Sequence, residues 1–168
     1  NIVELDWWEE ATDDDDLLFA CVPMRHFSGR ALNDRFCTLW AGWVIKGKEF
    51  RVIHTGDSGY GDHFKDIGEK YGPFDLTMVE CGQYNVNWYY IHMMPEETVQ
   101  AHIDLKGKHL MPIHWGRFNL ALHTWTDPIV RASRTAKQKG VSLISPEVGQ
   151  VVVMSPPLPK KKWWQFGI

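Results

Sequence analysis

Cysteine is scarce in this chain of 168 residues: Cys21, Cys37 and Cys81 are an odd three with no C-x-x-C pair. Neither a disulfide framework nor a cysteine-rich zinc finger is supported, and a reducing compartment, the cytoplasm, is the expected setting. Long apolar runs are missing as well. The longest, residues 17–22 and 39–45, fall far short of the roughly 20 residues that cross a bilayer, so no transmembrane segment is expected. Concentrated positive charge is absent too. The formal net charge is -3 and the basic run is confined to Lys160, Lys161 and Lys162, which argues against a nucleic-acid partner. The first residue is Asn1, and neither a charged leader nor a cleavage site follows, so the chain reads as a piece of something longer. What is present describes an ordinary globular domain, with 44% hydrophobic and 23% charged residues; a fold of this length buries about 70% of its unfolded surface without needing disulfides. The aromatic load is high. Nine Trp, eight Phe and five Tyr point to an apolar pocket or a large face meant to be covered.

Along the chain, apolar residues 2–8 and 17–23 are separated by an acidic stretch, which predicts a long hairpin with an acidic turn. The four Asp at 13–16 lack the alternating ligand spacing of a calcium loop, so a solvated turn is expected there. Residues 38–45 and 50–54 predict a second hairpin, turned through Gly47. The pattern then becomes strand, loop, helix, three times over. A polar helix over 62–70 ends at Gly72-Pro73 and leads to a strand over 74–80. Pro95-Glu96-Glu97 opens a second helix before a strand over 109–114, and Asp127-Pro128 opens a third that Gly140 closes. Residues 141–144 then predict a strand, with a final hairpin to 150–154. The expected fold is a layered α/β domain over 1–154, with a packed or frayed tail over 155–168 in preference to a membrane-surface anchor.

Three polar residues stand where predicted strands end: His26, Asp57 and His114. Loops at one edge of an α/β sheet bring distant positions together, and two imidazoles with a carboxylate suit zinc or a similar divalent ion. Spacing alone leaves the alternative open, because a lone His at a strand end is commonly structural and Gly56-Asp57-Ser58-Gly59 is also a turn sequence. His54, beside that turn, receives no role. Cys81 reads as a buried neutral thiol. Tyr84, Trp88, Tyr89 and Trp115 read either as pocket walls or, more commonly, as core. No serine-nucleophile elbow is present.

The surrounding words are more specific. Pro23-Met24-Arg25-His26-Phe27-Ser28-Gly29-Arg30, then His54-Thr55-Gly56-Asp57-Ser58-Gly59-Tyr60, then Pro112-Ile113-His114-Trp115-Gly116-Arg117-Phe118 resemble, in this order, the C-terminal half of metallo-β-lactamase-fold hydrolases. The resemblance runs over about residues 3–154 and is closest to the N-acyl phosphatidylethanolamine phospholipase D branch. It implies half of an αββα sandwich, a β-sheet with flanking helices. It also implies that His26 binds a first metal, Asp57 bridges two, and His114 binds the second, with zinc expected and iron or manganese acceptable to the same ligands. Such ions lower the pKa of a shared water and polarise the bond under attack. His92 and His123, each on a loop near the expected site edge, read either as catalytic donors to an oxyanion beside Asp57 or as structural or surface histidines.

One departure from that family is as informative as the match. Its remaining ligands come from a His-x-His-x-Asp-His motif in the preceding half, and none of the eight histidines here stands in a His-x-His pair. The expectation is therefore a hydrolase of phosphodiester or related ester bonds, acting on a small-molecule or lipid substrate and impaired without its N-terminal half or a homo-oligomer partner. The alternative is a catalytically silent module of the same fold, kept for binding or assembly.

Overall fold

The computed structural model describes residues 2–118, 120–159 and 161–165. Seven strands form one mixed sheet whose spatial order is the chain order. They are β1 (Glu10–Thr12), β2 (Leu18–Pro23), β3 (Ala41–Lys46), β4 (Arg51–His54), β5 (Phe74–Glu80), β6 (Gly107–Ile113) and β7 (Ser142–Leu143). The first four pair antiparallel, and β4 through β7 pair in parallel. Parallel neighbours require crossovers, which here are helices: α1 (His63–Lys70), α2 (Pro95–Asp104) and α3 (Asp127–Lys139). The expected α/β fold of a sheet with flanking helices is therefore what the chain forms.

The helix boundaries follow local chemistry. Pro95 opens α2, and the Glu97 carboxylate accepts the backbone N–H of Met94, satisfying a donor the first turn leaves free. Gly140 ends α3 at φ +69°, a left-handed conformation that a side chain would oppose. Helix amphipathicity then fixes which sheet face is covered. Phe64 and Ile67 of α1, Val99 and Ala101 of α2, and Ala132 and Ala136 of α3 join Ala20, Val22, Val44, Ile53, Val79 and Leu110 in one buried cluster.

Strand residues of opposite parity point to the other face, and their registers align Phe19 with Ile45 and Val52, and Trp43 with His54, Met78 and Met111. That face is half-covered at best: Trp43 is 39% exposed, His54 is exposed, and Ile45, Val52, Leu76, Met78 and Met111 are intermediate. The sheet thus has one finished apolar face and one unfinished one.

Two strand expectations fail, each for a visible reason. Residues 2–8 form no strand. Asp6 to Glu9 make a turn, with Trp8 at φ +72° and Glu9 N–H donating to the Asp6 carbonyl, and the pairing strand is Glu10–Thr12 inside the acidic stretch. Asp13 explains the shift: its Oδ1 accepts the N–H groups of Asp15 and Leu17 at 3.0 and 2.9 Å, closing a tight turn that puts Thr12 opposite Leu18. The acidic run is a turn, as expected, but a much shorter one. The final hairpin is also absent. A turn forms at Glu147 to Gln150, yet residues 151–153 are not paired, and Val151 and Val153 stay exposed. In the tail, Trp163 stacks on Trp115 at 5.2 Å between ring centroids and Trp164 is buried.

His102 ties α2 to the sheet. Its Nδ1 lies 2.7 Å from Thr77 Oγ1 on β5, and burial drops its pKa from 6.5 to about 4. The ring is neutral when folded but takes a proton readily when unfolded, so its contribution to stability is intact above pH 6.5 and is lost as the pH falls toward 4. His102 should account for roughly 3 kcal/mol of the loss that urea titrations show across that window, and His102→Gln should remove that share while the similarly buried His63 keeps its own.

Candidate metal centre

Strand direction assembles the site. Because β2 and β4 are both antiparallel to β3, they run the same way, and β4, β5 and β6 are parallel. The C-terminal ends of β2, β4, β5 and β6 therefore share one sheet edge, and His26, Asp57, Glu80 and His114 stand at or just beyond those ends. Asp57 is central: its Oδ2 lies 4.0 Å from His26 Nε2 and its Oδ1 lies 3.6 Å from His114 Nε2. His92 completes the group, edge-on to His26 at 5.2 Å and stacked on His114 at 5.4 Å. A cleft of about 270 Å³ opens there, lined by His26, Phe27, Asp57, Gln83, Trp88 and His92 among others.

The donor set fits divalent ions. Carboxylate–imidazole separations of 3.6 and 4.0 Å exceed a hydrogen bond but approach the ~3.4 Å between two ligands of one tetrahedral ion with bonds near 2 Å. His26 Nδ1 lies 2.9 Å from the Phe27 carbonyl, which requires the proton on Nδ1 and leaves the Nε2 lone pair facing Asp57. One ligand atom each from His26, Asp57 and His92 lies within 4.8 Å of the others, and the same holds for Glu80, His92 and His114. Burial lowers the pKa of His114 and of His92, opposed in each by the Asp57 charge. Burial is the larger effect in both, which favours neutral, ligand-competent rings.

Backbone packing holds His114 in place. It adopts φ +65°, a costly conformation for a non-glycine residue that persists where the surroundings enforce it. Gly82 is part of that enforcement, since a Cβ there would fall 2.0 Å from the His114 carbonyl oxygen. Gly82→Ala is expected to destabilise the fold by about 1–3 kcal/mol and to displace His114, giving weaker metal uptake by equilibrium dialysis together with a lowered melting temperature.

His123 is not brought into the cluster. Its Nε2 accepts the Gln83 N–H at 3.0 Å and its ring stacks on Tyr84. His54 turns back to its own loop, its Nδ1 accepting the Gly56 N–H. Of the four aromatics considered as pocket walls, Trp88 lines the cleft, whereas Tyr84 hydrogen-bonds Asp127 and Trp115 packs against the core and the tail. Cys81 is wholly buried, and burial pushes its thiol pKa up.

Sequence reasoning gave no role to two residues here. Glu80 is 0% exposed, with Oε2 2.7 Å from His92 Nδ1 and Oε1 accepting the Met93 N–H at 2.8 Å. Gln83 stitches the loop over the cleft, donating to the Phe118 carbonyl and accepting the N–H groups of Leu120 and Ala121. Glu80 did leave a trace in the sequence: a carboxylate ending a predicted strand at the same edge as Asp57 and His114.

Residues 1–115 match the model of the β-lactamase superfamily domain. The chain belongs to that superfamily. An uncharacterised protein of Mycobacterium tuberculosis is 44% identical over 98% of this chain, which covers 45% of that protein. An N-acyl-phosphatidylethanolamine-hydrolyzing phospholipase D of Caenorhabditis elegans is 35% identical over 70% of the chain and 35% of its own length. Among solved structures, a metallo hydrolase from Ignicoccus hospitalis superposes with a TM-score of 0.70 at 22% identity, covering 89% of this chain and 59% of that one. The chain thus has the metallo-β-lactamase fold and spans about half the length of the mycobacterial relative. Among the described residues, no helix is long and apolar enough to cross a membrane.

Proposed function

We propose that this chain carries the second half of a metal-dependent hydrolase, with His26, Asp57 and His114 as its ligands, acting on a phosphodiester or related ester. The observation that carries this reading is the Asp57 carboxylate set between two imidazoles at one sheet edge. Two divalent ions held there, zinc by preference or iron or manganese, would make water nucleophilic at neutral pH and polarise the oxygen under attack. The protein's own residues do the remainder. His92, on the cleft wall, exchanges a proton with the reacting oxygens, and Phe27, Trp88 and Ile91 supply an apolar wall for the substrate's organic part. His123 acts at one remove, holding the Gln83 loop that covers the cleft. The phospholipase D relative makes a lipid phosphodiester the first substrate to try, with N-acyl-phosphatidylethanolamine as its form. The free cysteines support a reducing compartment, the cytoplasm.

Preceding polypeptide is the natural cover for the unfinished sheet face. The half-exposed row of Trp43, Met78 and Met111 is continuous with the ligand edge, and the chain has no His-x-His pair to complete a two-ion site. The test is metal analysis with turnover. A protein joining both halves should hold about two ions per chain and hydrolyse bis(p-nitrophenyl) phosphate or N-acyl-phosphatidylethanolamine. Metal without turnover on any ester would instead favour a silent binding module, and a stable homodimer of this chain alone would make a second copy the cover.

A further inference from the structure

A carboxylate, that of Glu80, is buried behind His92. Glu80 is clamped on every side. Its backbone N–H donates to Thr55 Oγ1 at 3.2 Å and its carbonyl accepts from Thr98 Oγ1 at 2.8 Å. Its side chain receives the Met93 N–H on Oε1 and a backbone N–H from Ser58. Burial pushes the Glu80 carboxyl well above the usual carboxylate range, but backbone N–H groups can only donate, so these partners oppose that rise by demanding oxygen lone pairs from Glu80 and leave Oε2 for His92 Nδ1, 2.7 Å away. With Nδ1 turned to Glu80, Nε2 is the nitrogen His92 offers to the cleft it lines.

We propose that Glu80 is a positioning residue for His92: accepting the Nδ1–H, it holds the ring's orientation and tautomer so that a bare Nε2 faces the cleft. The inference rests on the hydrolase reading only for what Nε2 then does. There it accepts a proton from the attacking water and returns the same proton to the leaving-group oxygen, while Glu80 stabilises the transient imidazolium without taking the proton itself. The arrangement follows the logic of any base oriented by a buried carboxylate. No part of it requires Glu80 to touch substrate.

Glu80→Gln makes a sharp test. The Gln oxygen must face the Met93 N–H, so its NH₂ faces His92 Nδ1, which has to become an acceptor, and the proton moves to Nε2. Histidine ¹⁵N NMR on the full-length, zinc-loaded protein should show His92 protonated on Nδ1 in the wild type and on Nε2 in E80Q. Turnover of bis(p-nitrophenyl) phosphate should fall by about 10²–10⁴-fold in kcat, with KM changed less than about threefold. A double-mutant cycle guards against a variant that merely folds poorly: in a His92→Ala background, E80Q should change kcat by less than about twofold. The proposal is overturned if the wild-type ring carries its proton on Nε2, if the tautomer is the same in E80Q, or if the two substitutions are fully additive. A protein without esterase activity would sink the hydrolase reading, yet the NMR comparison would still decide the role of Glu80.

Discussion

Replacing Asp57 by Ala in the complete protein is expected to remove the paired metal ions and to lower turnover by at least about 10³-fold while leaving the fold intact. One carboxylate contributes an oxygen toward each imidazole, Oδ2 toward His26 and Oδ1 toward His114, so under the proposed two-ion site its loss would remove a ligand from both positions at once. Several kcal/mol of charge stabilisation disappear with the ions, and each 1.36 kcal/mol is a factor of ten in rate. The fold should survive because Asp57 lies past the end of β4 with its side chain 38% exposed, outside the apolar cluster. Metal content by mass spectrometry, kcat, and a melting curve within a few degrees of wild type check the three parts. Wild-type turnover in D57A would remove Asp57 from the mechanism.

Met78→Glu is expected to uncouple this chain from the preceding half proposed to cover its open sheet face, with little effect on the chain's own core. Met78 sits between His54 and Met111 in the middle of the unfinished sheet face and is only half-buried here, so a carboxylate at this position stays hydrated while the face is open. Covering it would strand an unpaired charge, costing about 3 kcal/mol and weakening association of the two separately expressed halves by about 10²-fold. Metal stoichiometry should fall with the association. Calorimetric titration of one half into the other measures the effect. Unchanged association would mean that some other surface receives the preceding polypeptide.

Much of this fold was legible because its signals are local. Pro95 and Gly140 mark helix ends through backbone geometry, whatever surrounds them, and the stretch from Arg51 to Glu80 keeps its predicted order of strand, helix and strand. The edges of the sheet were less legible. In residues 2–8 an apolar, strand-like composition was outweighed by a turn at Asp6 to Glu9, and in residues 151–153 three valines found no partner strand. Apolar content records a need for burial, but pairing depends on where another backbone lies. The same limit separated His92 from His123. Both stand on loops near the expected site edge, and only the paths of the loops after β5 and β6 send one ring to the Asp57 cluster and the other to stack on Tyr84.

The amino-acid order by itself determined the class of fold, the superfamily words around His26, Asp57 and His114, and the absence of any His-x-His pair, because each is written in adjacent residues. Tertiary structure alone decided that those three side chains and His92 meet, that Glu80 stands behind His92, and that one sheet face is left half-covered. These are consequences of strand direction and register: four strands ending on one edge bring residues up to 88 positions apart, His26 and His114, to the same carboxylate, and no pattern within a short window carries that distance.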